Sequence, residues 1–254
     1  MIRFFSDPKD VYAKSIKLSD EDSGHILSLR LRPDEKFIVC DGNGTDYICT
    51  LGERSGSTFA DIKSKQVSLG EPTVKCRLCI AFSKGDRMDY AVQKAVEIGA
   101  HEIILFESER CVAVPKDIPK KTARLQRIAL ETAKQSGRGI IPSVTCGGSL
   151  KDLIETVIHD SALSILFYEC EDHTHIKDVL TQHFSPSHSK RTPGKRVSGI
   201  VTIITGPEGG FDPQEVEFAK SKGIQIVSLG TRVLRSETAP VAALAVIMYQ
   251  TDNL

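Results

Sequence analysis

The sequence predicts a two-domain α/β protein, with a small β-barrel or sandwich at residues 1–71 and an α/β domain with a largely parallel sheet at residues 72–254. From Thr73 onward, β-rich runs alternate with helical patterns, as in chains that form parallel sheets. Before that point the runs are short strands separated by turns. The segment Gly70-Glu71-Pro72, whose glycine and proline favour a turn, lies where the predicted secondary structure changes, so we place the domain boundary there.

In the first part, the segment "FIVCDGNGTDYICTL" has two β-rich runs around Asp41-Gly42-Asn43-Gly44, which predicts a hairpin. The segment "STFADIKSKQVSL" continues with spaced apolar positions at Phe59, Ile62 and Val67, which indicates another strand. These elements favour a small all-β domain.

The second part alternates strand and helix candidates. In chain order they are "VKCRLCIAF", "DRMDYAVQKAVEIGA", "EIILFES", "KTARLQRIALETAKQSG", "LKDLIETVI", "ALSILFYE", "GIVTIIT", "DPQEVEFAKSKG", "IQIVSLG" and "APVAALAVIMYQ". Between Phe184 and Gly199 the chain is polar, basic and rich in proline, which predicts a loop.

Composition limits the classes of function. The formal net charge is +0, so any nucleic-acid site must be a local basic patch. No apolar stretch approaches the roughly 20 residues that cross a bilayer, and the start "MIRFFSDPKD" is unlike a signal peptide. The 7 cysteines are an odd number within apolar runs, which suits reduced thiols. We therefore expect a soluble cytoplasmic protein.

A glycine-rich loop, Gly206-Pro207-Glu208-Gly209-Gly210, follows the strand candidate "GIVTIIT" directly. The next helix begins with Asp212 as N-cap, Pro213 and the capping-box residue Glu215. The loop has neither the Gly-Lys-Ser/Thr of a P-loop nor dinucleotide glycine spacing. Because Glu208 would repel a phosphate, the loop indicates a ligand without one.

A second strand, "IQIVSLG", leads into a loop at residues 231–237 that holds two arginines, a glutamate and two hydroxyls. The apolar helix that follows contains Pro240, which is tolerated only in a first turn, so we predict a buried helix that begins near Thr238. Two adjacent strand ends with such loops would form a ligand crevice.

Together, "ITGPEGGF" and "LGTRVLRSETA" resemble the SPOUT class of S-adenosylmethionine-dependent RNA methyltransferases, and most closely the RsmE family, which methylates N3 of a uridine in 16S ribosomal RNA. "MIRFF" and "HILSLRLRPDE" look like the N-terminal PUA-like barrel of that family. "KGDRMDYAVQKAVEIGA", "SER", "AKQSGR" and "IPSV" look like its middle signatures. The likeness extends over nearly the whole chain.

The resemblance implies a trefoil-knotted C-terminal domain, a homodimer, S-adenosylmethionine as cofactor and the small ribosomal subunit as partner. It implies a cofactor site on the knot loops, with a further wall at residues 167–169. The expected cofactor-binding residues are Tyr168, Thr205, Gly206, Pro207, Glu208, Gly209, Gly210, Leu229, Gly230, Val233, Leu234, Arg235, Glu237 and Thr238.

Chemistry at N3 of uracil needs the loss of a proton, because the protonated nitrogen is a poor nucleophile. Arg235 stays protonated and is expected to stabilise the developing anion. Either Glu237 or Glu208 would accept the proton, and Glu237 could instead only pair with Arg235 or cap the helix. The expected catalytic residues are therefore Arg235 and Glu237.

RNA recognition needs cationic side chains that anchor phosphates. The candidates are Arg3, Arg30 and Arg32 in the first domain and Lys84, Arg87, Arg110 and Arg138 in the second. Any one of them alone is equally typical of a solvated surface.

Two other patterns do not predict a metal site. Cys76 and Cys79 are three apart in a strand, where their side chains point to opposite faces. A group of histidines, His173, His175, His183 and His188, lacks the ligand spacing of a metal site. Three other functions stay open: a SPOUT enzyme for a ribose or another base, a non-catalytic ribosome-assembly factor and, least favoured, a nicotinamide dehydrogenase.

Overall fold

A computed structural model of the chain describes residues 1–32, 34–54, 57–184 and 199–254. The chain divides into two compact units. The first comprises Met1–Glu71 and Leu130–Ile141, and the second comprises Pro72–Ala129 and Pro142–Leu254. The segment Leu130–Ile141 thus belongs with the first unit, although it follows the predicted boundary in sequence. Most of the predicted loop between Phe184 and Gly199 lies outside the described residues.

The first unit is built on a five-stranded sheet. Its elements are β1 (Arg3–Phe5), a 3-10 helix (Pro8–Asp10), β2 (Ser15–Lys17), α1 (Asp20–Ser28), β3 (Phe37–Cys40), β4 (Thr45–Arg54) and β5 (Ser57–Val67). The strand order is β1-β3-β4-β5-β2, with β1 and β3 parallel and the other pairs antiparallel. Within the described residues the sheet has two open ends and forms a half-barrel around an apolar core that includes Phe4, Ile16, Ile26 and Phe37.

The predicted hairpin is confirmed as β3 and β4, which pair with Cys40 opposite Asp46. Gly42 and Gly44 in its turn have φ of +72° and +91°, a conformation that favours glycine. The sequence reading did not identify α1. Its signal was Ser19, whose hydroxyl accepts a hydrogen bond from the amide of Asp22 at 3.0 Å and caps the helix.

The second unit contains the remaining strands and helices. They are β6 (Lys75–Ala81), α2 (Arg87–Ile98), β7 (Glu102–Glu107), α3 (Ile118–Ser136, whose last residues lie in the first unit), β8 (Ser143–Ser149), α4 (Leu150–Val157), β9 (Ser161–Phe167), α5 (Ile176–Phe184), β10 (Ile200–Thr205), α6 (Pro213–Ser221), β11 (Gln225–Val227) and α7 (Thr238–Gln250). All strand pairs are parallel, in the order β11-β9-β10-β6-β7-β8. This confirms the predicted α/β class.

The helix starts that the sequence marked are confirmed. Asp212 caps α6, Glu215 completes the capping box and Pro213 stands in the first turn. Helix α7 begins at Thr238, so Pro240 lies in its first turn. The prediction that α7 is buried was wrong on one side, because Val246 and Tyr249 are 39% and 72% exposed. None of the helices in the described ranges has the length and apolar character to span a membrane.

Strand β6 lies between β10 and β7, and all of its residues after Lys75 are buried, as is typical of an inner strand of a parallel sheet. Both cysteines of the C-x-x-C pattern are buried in it, and burial raises the pKa of the Cys76 thiol to about 12. At the amino end of this strand, the buried Arg77 donates to Glu102 and Asp160, each at 2.7 Å. These ion pairs connect β6 to β7 and to the residue before β9.

Candidate active site at the carboxyl edge of the parallel sheet

Three loops meet at one edge of the sheet. Strand β10 ends at Thr205, which lies opposite Phe167, the last residue of β9, and Val227 of β11 also lies opposite Phe167. The sequence reading expected the ends of β10 and β11 to be adjacent, but β9 lies between them. The loop after β9 is therefore the middle wall of the site, because carboxyl ends of parallel strands meet at the same edge.

These loops enclose a main cavity of about 620 Å³, a size that is typical of small-molecule sites. The residues that line it include a mixture of apolar, acidic and basic side chains. They are Arg87, Phe167, Tyr168, Glu169, Glu171, Asp172, His175, Thr205, Gly206, Pro207, Glu208, Gly210, Ser228, Leu229, Gly230, Thr231, Arg232, Val233, Leu234, Arg235, Ser236 and Ala239.

The glycine loop is closely packed. Gly210 has φ of +69°, and a side chain there would overlap the carboxylate of Glu169. A Cβ at Gly209 would lie 2.9 Å from the carbonyl oxygen of Arg110. Glycine is favoured at Gly210 by its positive φ, and at Gly209 by the close approach of the Arg110 backbone.

Glu208 is held in place by two donors. Its Oε1 accepts a hydrogen bond from the amide of Lys84 at 2.9 Å and one from Nη1 of Arg87 at 2.6 Å. Burial opposes its ionisation, but these bonds outweigh burial and keep the pKa of Glu208 below its ordinary value. Its Oε2 is buried and accepts no hydrogen bond from the described residues. The main cavity is thus lined by a glutamate that its hydrogen-bond donors keep ionised.

Glu208→Gln is expected to lower the free energy of unfolding at pH 7, because the amide loses the charge that pairs with Arg87. A depressed folded pKa stabilises the protein above the unfolded value of about 4.3, and this contribution disappears as the pH falls through the folded value. Urea unfolding from pH 7 to pH 3 should show wild type and variant converging only below about pH 4.3. A difference that is constant with pH would contradict the ionic role of Glu208.

The loop before α7 forms a tight turn. The carbonyl of Arg235 accepts hydrogen bonds from the amides of Thr238 and Ala239 at 2.9 and 3.0 Å, and the Arg235 side chain is exposed beside the main cavity. Oε2 of Glu237 accepts a hydrogen bond from the hydroxyl of Ser236 at 3.2 Å and lies 3.8 Å from Nε of Arg87. Arg87 therefore lies between the carboxylates of Glu208 and Glu237.

The structure brings most of the predicted cofactor residues together. Those that line the main cavity are Tyr168, Thr205, Gly206, Pro207, Glu208, Gly210, Leu229, Gly230, Val233, Leu234 and Arg235. Gly209 is not among the lining residues. Glu237 and Thr238 instead line a second cavity of about 630 Å³, together with Lys84, Gly85, Asp86, Arg87 and Tyr90. Arg87 lines both cavities.

The sequence reading missed the acidic part of the main cavity, which consists of Glu169, Glu171 and Asp172. The predicted further wall at residues 167–169 includes Glu169 but not the other two. The available signal was their position at and just after the end of the strand candidate "ALSILFYE", at the same sheet edge as the glycine loop.

The predicted RNA-binding residues divide into three groups: exposed residues of the first unit, residues of the second unit near the cavities and the glycine loop, and two arginines in buried ion pairs. Arg30 and Arg32 are exposed in the first unit. In the second unit, Lys84 and Arg87 line the second cavity, and Nη2 of Arg110 lies 3.1 Å from Asp212.

The structure corrects the prediction for the other two arginines, Arg3 and Arg138. Arg3 is paired with Asp46 at 2.5 Å and its side chain is 8% exposed; Arg138 is paired with Glu71 at 2.8 Å and its side chain is 3% exposed. Buried guanidinium groups in ion pairs stabilise the fold and do not present donors to a phosphate. We therefore remove both residues from the candidate RNA surface.

One basic surface was missed. Three exposed residues of α3 are spaced four and three positions apart, so they lie on one face of the helix, here called the α3 basic face. They are Lys120, Arg124 and Arg127. Asp89 of α2 accepts from Arg124 and, at 3.3 Å, from Nζ of Lys121. These contacts hold the α3 basic face next to α2, whose first residue, Arg87, lines both cavities.

Family models match both parts of the chain. Residues 70–248 match an RNA methyltransferase domain, and residues 18–62 match an RNA methyltransferase PUA domain. Among curated proteins, the chain is 33% identical to the ribosomal RNA small subunit methyltransferase E of Mesomycoplasma hyopneumoniae, over 95% of this chain and 96% of the relative. It is 30% identical to the protein of that name from Bacillus subtilis, over 95% and 93%.

Solved structures give the same result. The chain is similar to a ribosomal RNA small subunit methyltransferase E from Neisseria gonorrhoeae bound to S-adenosyl methionine, with a TM-score of 0.81, 30% identity and coverage of 98% and 97%. It is also similar to a Legionella pneumophila methyltransferase in complex with the same cofactor, with a TM-score of 0.77, 26% identity and coverage of 98% and 97%.

Proposed function

The chain belongs to the family of ribosomal RNA small subunit methyltransferases E, and on that premise we propose that it transfers a methyl group from S-adenosylmethionine to N3 of a uridine in 16S ribosomal RNA. The observation that carries the proposal is the main cavity, which lies at the sheet edge between the loops after β9, β10 and β11. Small subunits are the proposed partner, and the cytoplasm the proposed location.

The main cavity suits this cofactor. Leu229, Val233 and Leu234 offer apolar surface to an adenosine group, and backbone amides and carbonyls of the three loops offer polar partners. The acidic wall also favours a ligand with a sulfonium charge and no phosphate.

When bound, S-adenosylmethionine supplies an electrophilic methyl group. The protein must position the uracil and manage the proton that leaves N3. We assign proton acceptance to Glu237, because Oε1 of Glu208 is held by Lys84 and Arg87 and its Oε2 is buried, whereas Glu237 lines the second cavity. We also propose that Arg235, which lines the main cavity, stabilises negative charge on the uracil oxygens.

A direct experiment tests the proposed reaction. Purified protein is incubated with S-adenosylmethionine and small ribosomal subunits that lack the modification, and reverse-transcription stops are mapped. We expect one new cofactor-dependent stop, because N3 methylation blocks the pairing edge of uracil. Methyl incorporation without a stop would place the target on a ribose or another position. Cofactor binding without incorporation into subunits or naked RNA would contradict the proposed enzyme and favour an assembly factor.

We further propose a homodimer and a trefoil knot, as the family resemblance implies. The exposed apolar side chains Val246 and Tyr249 on α7 support an association of two copies, because such surface is favourably removed from water. Sedimentation equilibrium at micromolar concentration tests the dimer.

In the second unit, the proposed RNA surface combines Lys84, Arg87 and Arg110 with the α3 basic face. Arg30 and Arg32 are proposed separately, as RNA contacts of the first unit. Replacing Lys120, Arg124 and Arg127 together by alanine is expected to weaken binding to the substrate RNA. A plot of the logarithm of the RNA-binding constant against the logarithm of the salt concentration has a negative slope. The variant should make this slope shallower by about 2 to 3, if each side chain contacts one phosphate. Filter binding from 50 to 300 mM salt measures both quantities.

The matched control for the α3 basic face has the same change in charge. It replaces three lysines by alanine: Lys151 in α4, Lys220 in α6 and Lys222 just after α6. This control variant should leave the salt dependence of RNA binding unchanged. An equal slope for the α3 variant and the wild type would exclude this face from the RNA surface. Cofactor binding should be intact in both variants.

A further inference from the structure

A turn at residues 108–111 follows β7, and the carbonyl of Ser108 closes it by accepting a hydrogen bond from the amide of Cys111 at 2.9 Å. None of these four residues lines the main cavity or the second cavity. We propose that the 108–111 turn and Glu215 of α6 are positioning residues for S-adenosylmethionine, because they hold the glycine loop in the conformation that binds the cofactor. This inference rests on the proposed function and assigns roles outside the cavity to residues that the reaction itself does not use.

Glu215 is a buried carboxylate, 6% exposed, and both of its oxygens accept hydrogen bonds. Its Oε2 accepts from the amide of Asp212 at 3.0 Å and from the hydroxyl of Ser108 at 2.9 Å. Its Oε1 accepts from the amide of Glu109 at 3.1 Å. A capping box uses only the bond to the N-cap amide, that of Asp212. The other two bonds therefore connect the start of α6 to the 108–111 turn.

The backbone of the same turn packs directly against the glycine loop. A Cβ at Gly209 would lie 2.9 Å from the carbonyl oxygen of Arg110, so the two backbones are in close contact. Nη2 of Arg110 is 3.1 Å from Oδ2 of Asp212, the N-cap of α6. Gly209 does not line the main cavity, but its neighbours Glu208 and Gly210 do. A displacement of the turn would therefore move two residues of the cavity wall.

The 108–111 turn is itself held by the parallel sheet. Burial raises the pKa of the Cys111 thiol, so the thiol stays protonated and donates to the carbonyl of Phe82, the residue after β6, at 3.3 Å. At the end of the glycine loop, Phe211 stacks on Phe106 of β7 with ring centroids 6.4 Å apart. The glycine loop is thus anchored to β6 and β7, two inner strands of the sheet.

The test uses the full-length protein and the variant Glu215→Gln, which keeps the size of the side chain. In either orientation of the new amide, its NH2 group faces a backbone N–H, that of Glu109 or that of Asp212, so one buried donor loses its acceptor. We expect the Kd for S-adenosylmethionine, measured by isothermal titration calorimetry, to rise about 10- to 100-fold. The KM for the cofactor should rise in parallel, while kcat at saturating cofactor stays within about threefold of the wild type.

The matched control is Asp152→Asn, which alters a capping box of the same kind in α4. There the amide of Ser149 donates to Oδ2 of Asp152 at 3.0 Å, and no residue of α4 lines the main cavity. Loss of a cap should lower the free energy of unfolding in both variants, whereas the Kd for S-adenosylmethionine should change only in Glu215→Gln. An equal Kd in Glu215→Gln and the wild type, or an equal rise in Asp152→Asn, would overturn the proposal.

Two further variants test the turn and leave the bond between Asp212 and Glu215 in place. Ser108→Ala removes one hydrogen bond to Glu215, and Gly209→Ala places a Cβ against the carbonyl of Arg110. Each should raise the Kd for S-adenosylmethionine by about 3- to 10-fold. These variants decide the question if Glu215→Gln does not fold. An unchanged Kd in both would show that the turn does not position the glycine loop.

The outcomes separate this inference from the function on which it rests. A wild type that binds no S-adenosylmethionine, or that binds it and transfers no methyl group to RNA, would refute the proposed function itself. An active wild type, with the same Kd in the variants of the turn and of Glu215, would refute the positioning role and leave the function standing.

Discussion

Arg235→Ala is expected to lower the rate constant of methyl transfer by about 100- to 1,000-fold, the range found when a preorganised donor to a developing anion is removed. The side chain is exposed at the rim of the main cavity and its carbonyl, not its guanidinium, holds the turn before α7. The variant should therefore fold, and a saturating concentration of cofactor offsets the loss of any contact that the Arg235 side chain makes with S-adenosylmethionine in the main cavity. Single-turnover incorporation of methyl groups into small subunits, at saturating cofactor, measures the effect on the chemical step.

A conservative variant and an unrelated lysine make this experiment specific. Arg235→Lys keeps the charge but loses the planar fork, so its rate should lie between those of wild type and Arg235→Ala. Lys222→Ala, which removes a charge at the carboxyl end of α6, should match the wild type. Full turnover by Arg235→Ala would remove Arg235 from the mechanism.

Glu71→Ala is expected to cause the largest loss of stability, about 3 to 5 kcal/mol, because it removes a carboxylate that pairs with a buried guanidinium, that of Arg138. Oε1 of Glu71 accepts hydrogen bonds from Nε of Arg138 at 2.9 Å and from the amides of Gly139 and Ile140 at 2.8 and 3.0 Å. Oε2 accepts from Nη2 of Arg138 at 2.8 Å. These bonds hold the segment 130–141 within the first unit.

Urea unfolding followed by circular dichroism measures the effect of Glu71→Ala. The matched control is Glu155→Ala, which removes a surface ion pair with Lys222 at 3.8 Å and should cost less than about 1 kcal/mol. The double variant Glu71→Ala/Arg138→Met should recover part of the loss, because it also removes the buried positive charge that Glu71 neutralises. If Glu71→Ala unfolded at the same urea concentration as Glu155→Ala, the buried pair of Glu71 and Arg138 would contribute no more stability than a surface ion pair.

Most strands, turns and helix starts could be predicted from the sequence because the residues that determine them are close together in the chain. The capping box of Asp212 and Glu215, the position of Pro240 and the hairpin glycines act within a few residues, and each element formed where its pattern indicated. Helix α1 and strand β8 were missed. Strand β8, "SVTCGGS", contains two glycines and little apolar alternation, so its pairing with β7 decides its conformation.

The sequence by itself determined the class of fold, the two loops that carry the site and the family resemblance, since these depend on short motifs. Only the tertiary structure decided that β9 lies between β10 and β11, which adds an acidic wall to the main cavity. The tertiary structure alone also shows that Arg87 pairs with Glu208, 121 positions away, and that Glu237 lines the second cavity. The physical reason is that strand order and ion pairing join residues distant in sequence, while local propensity and spacing act over a few residues only.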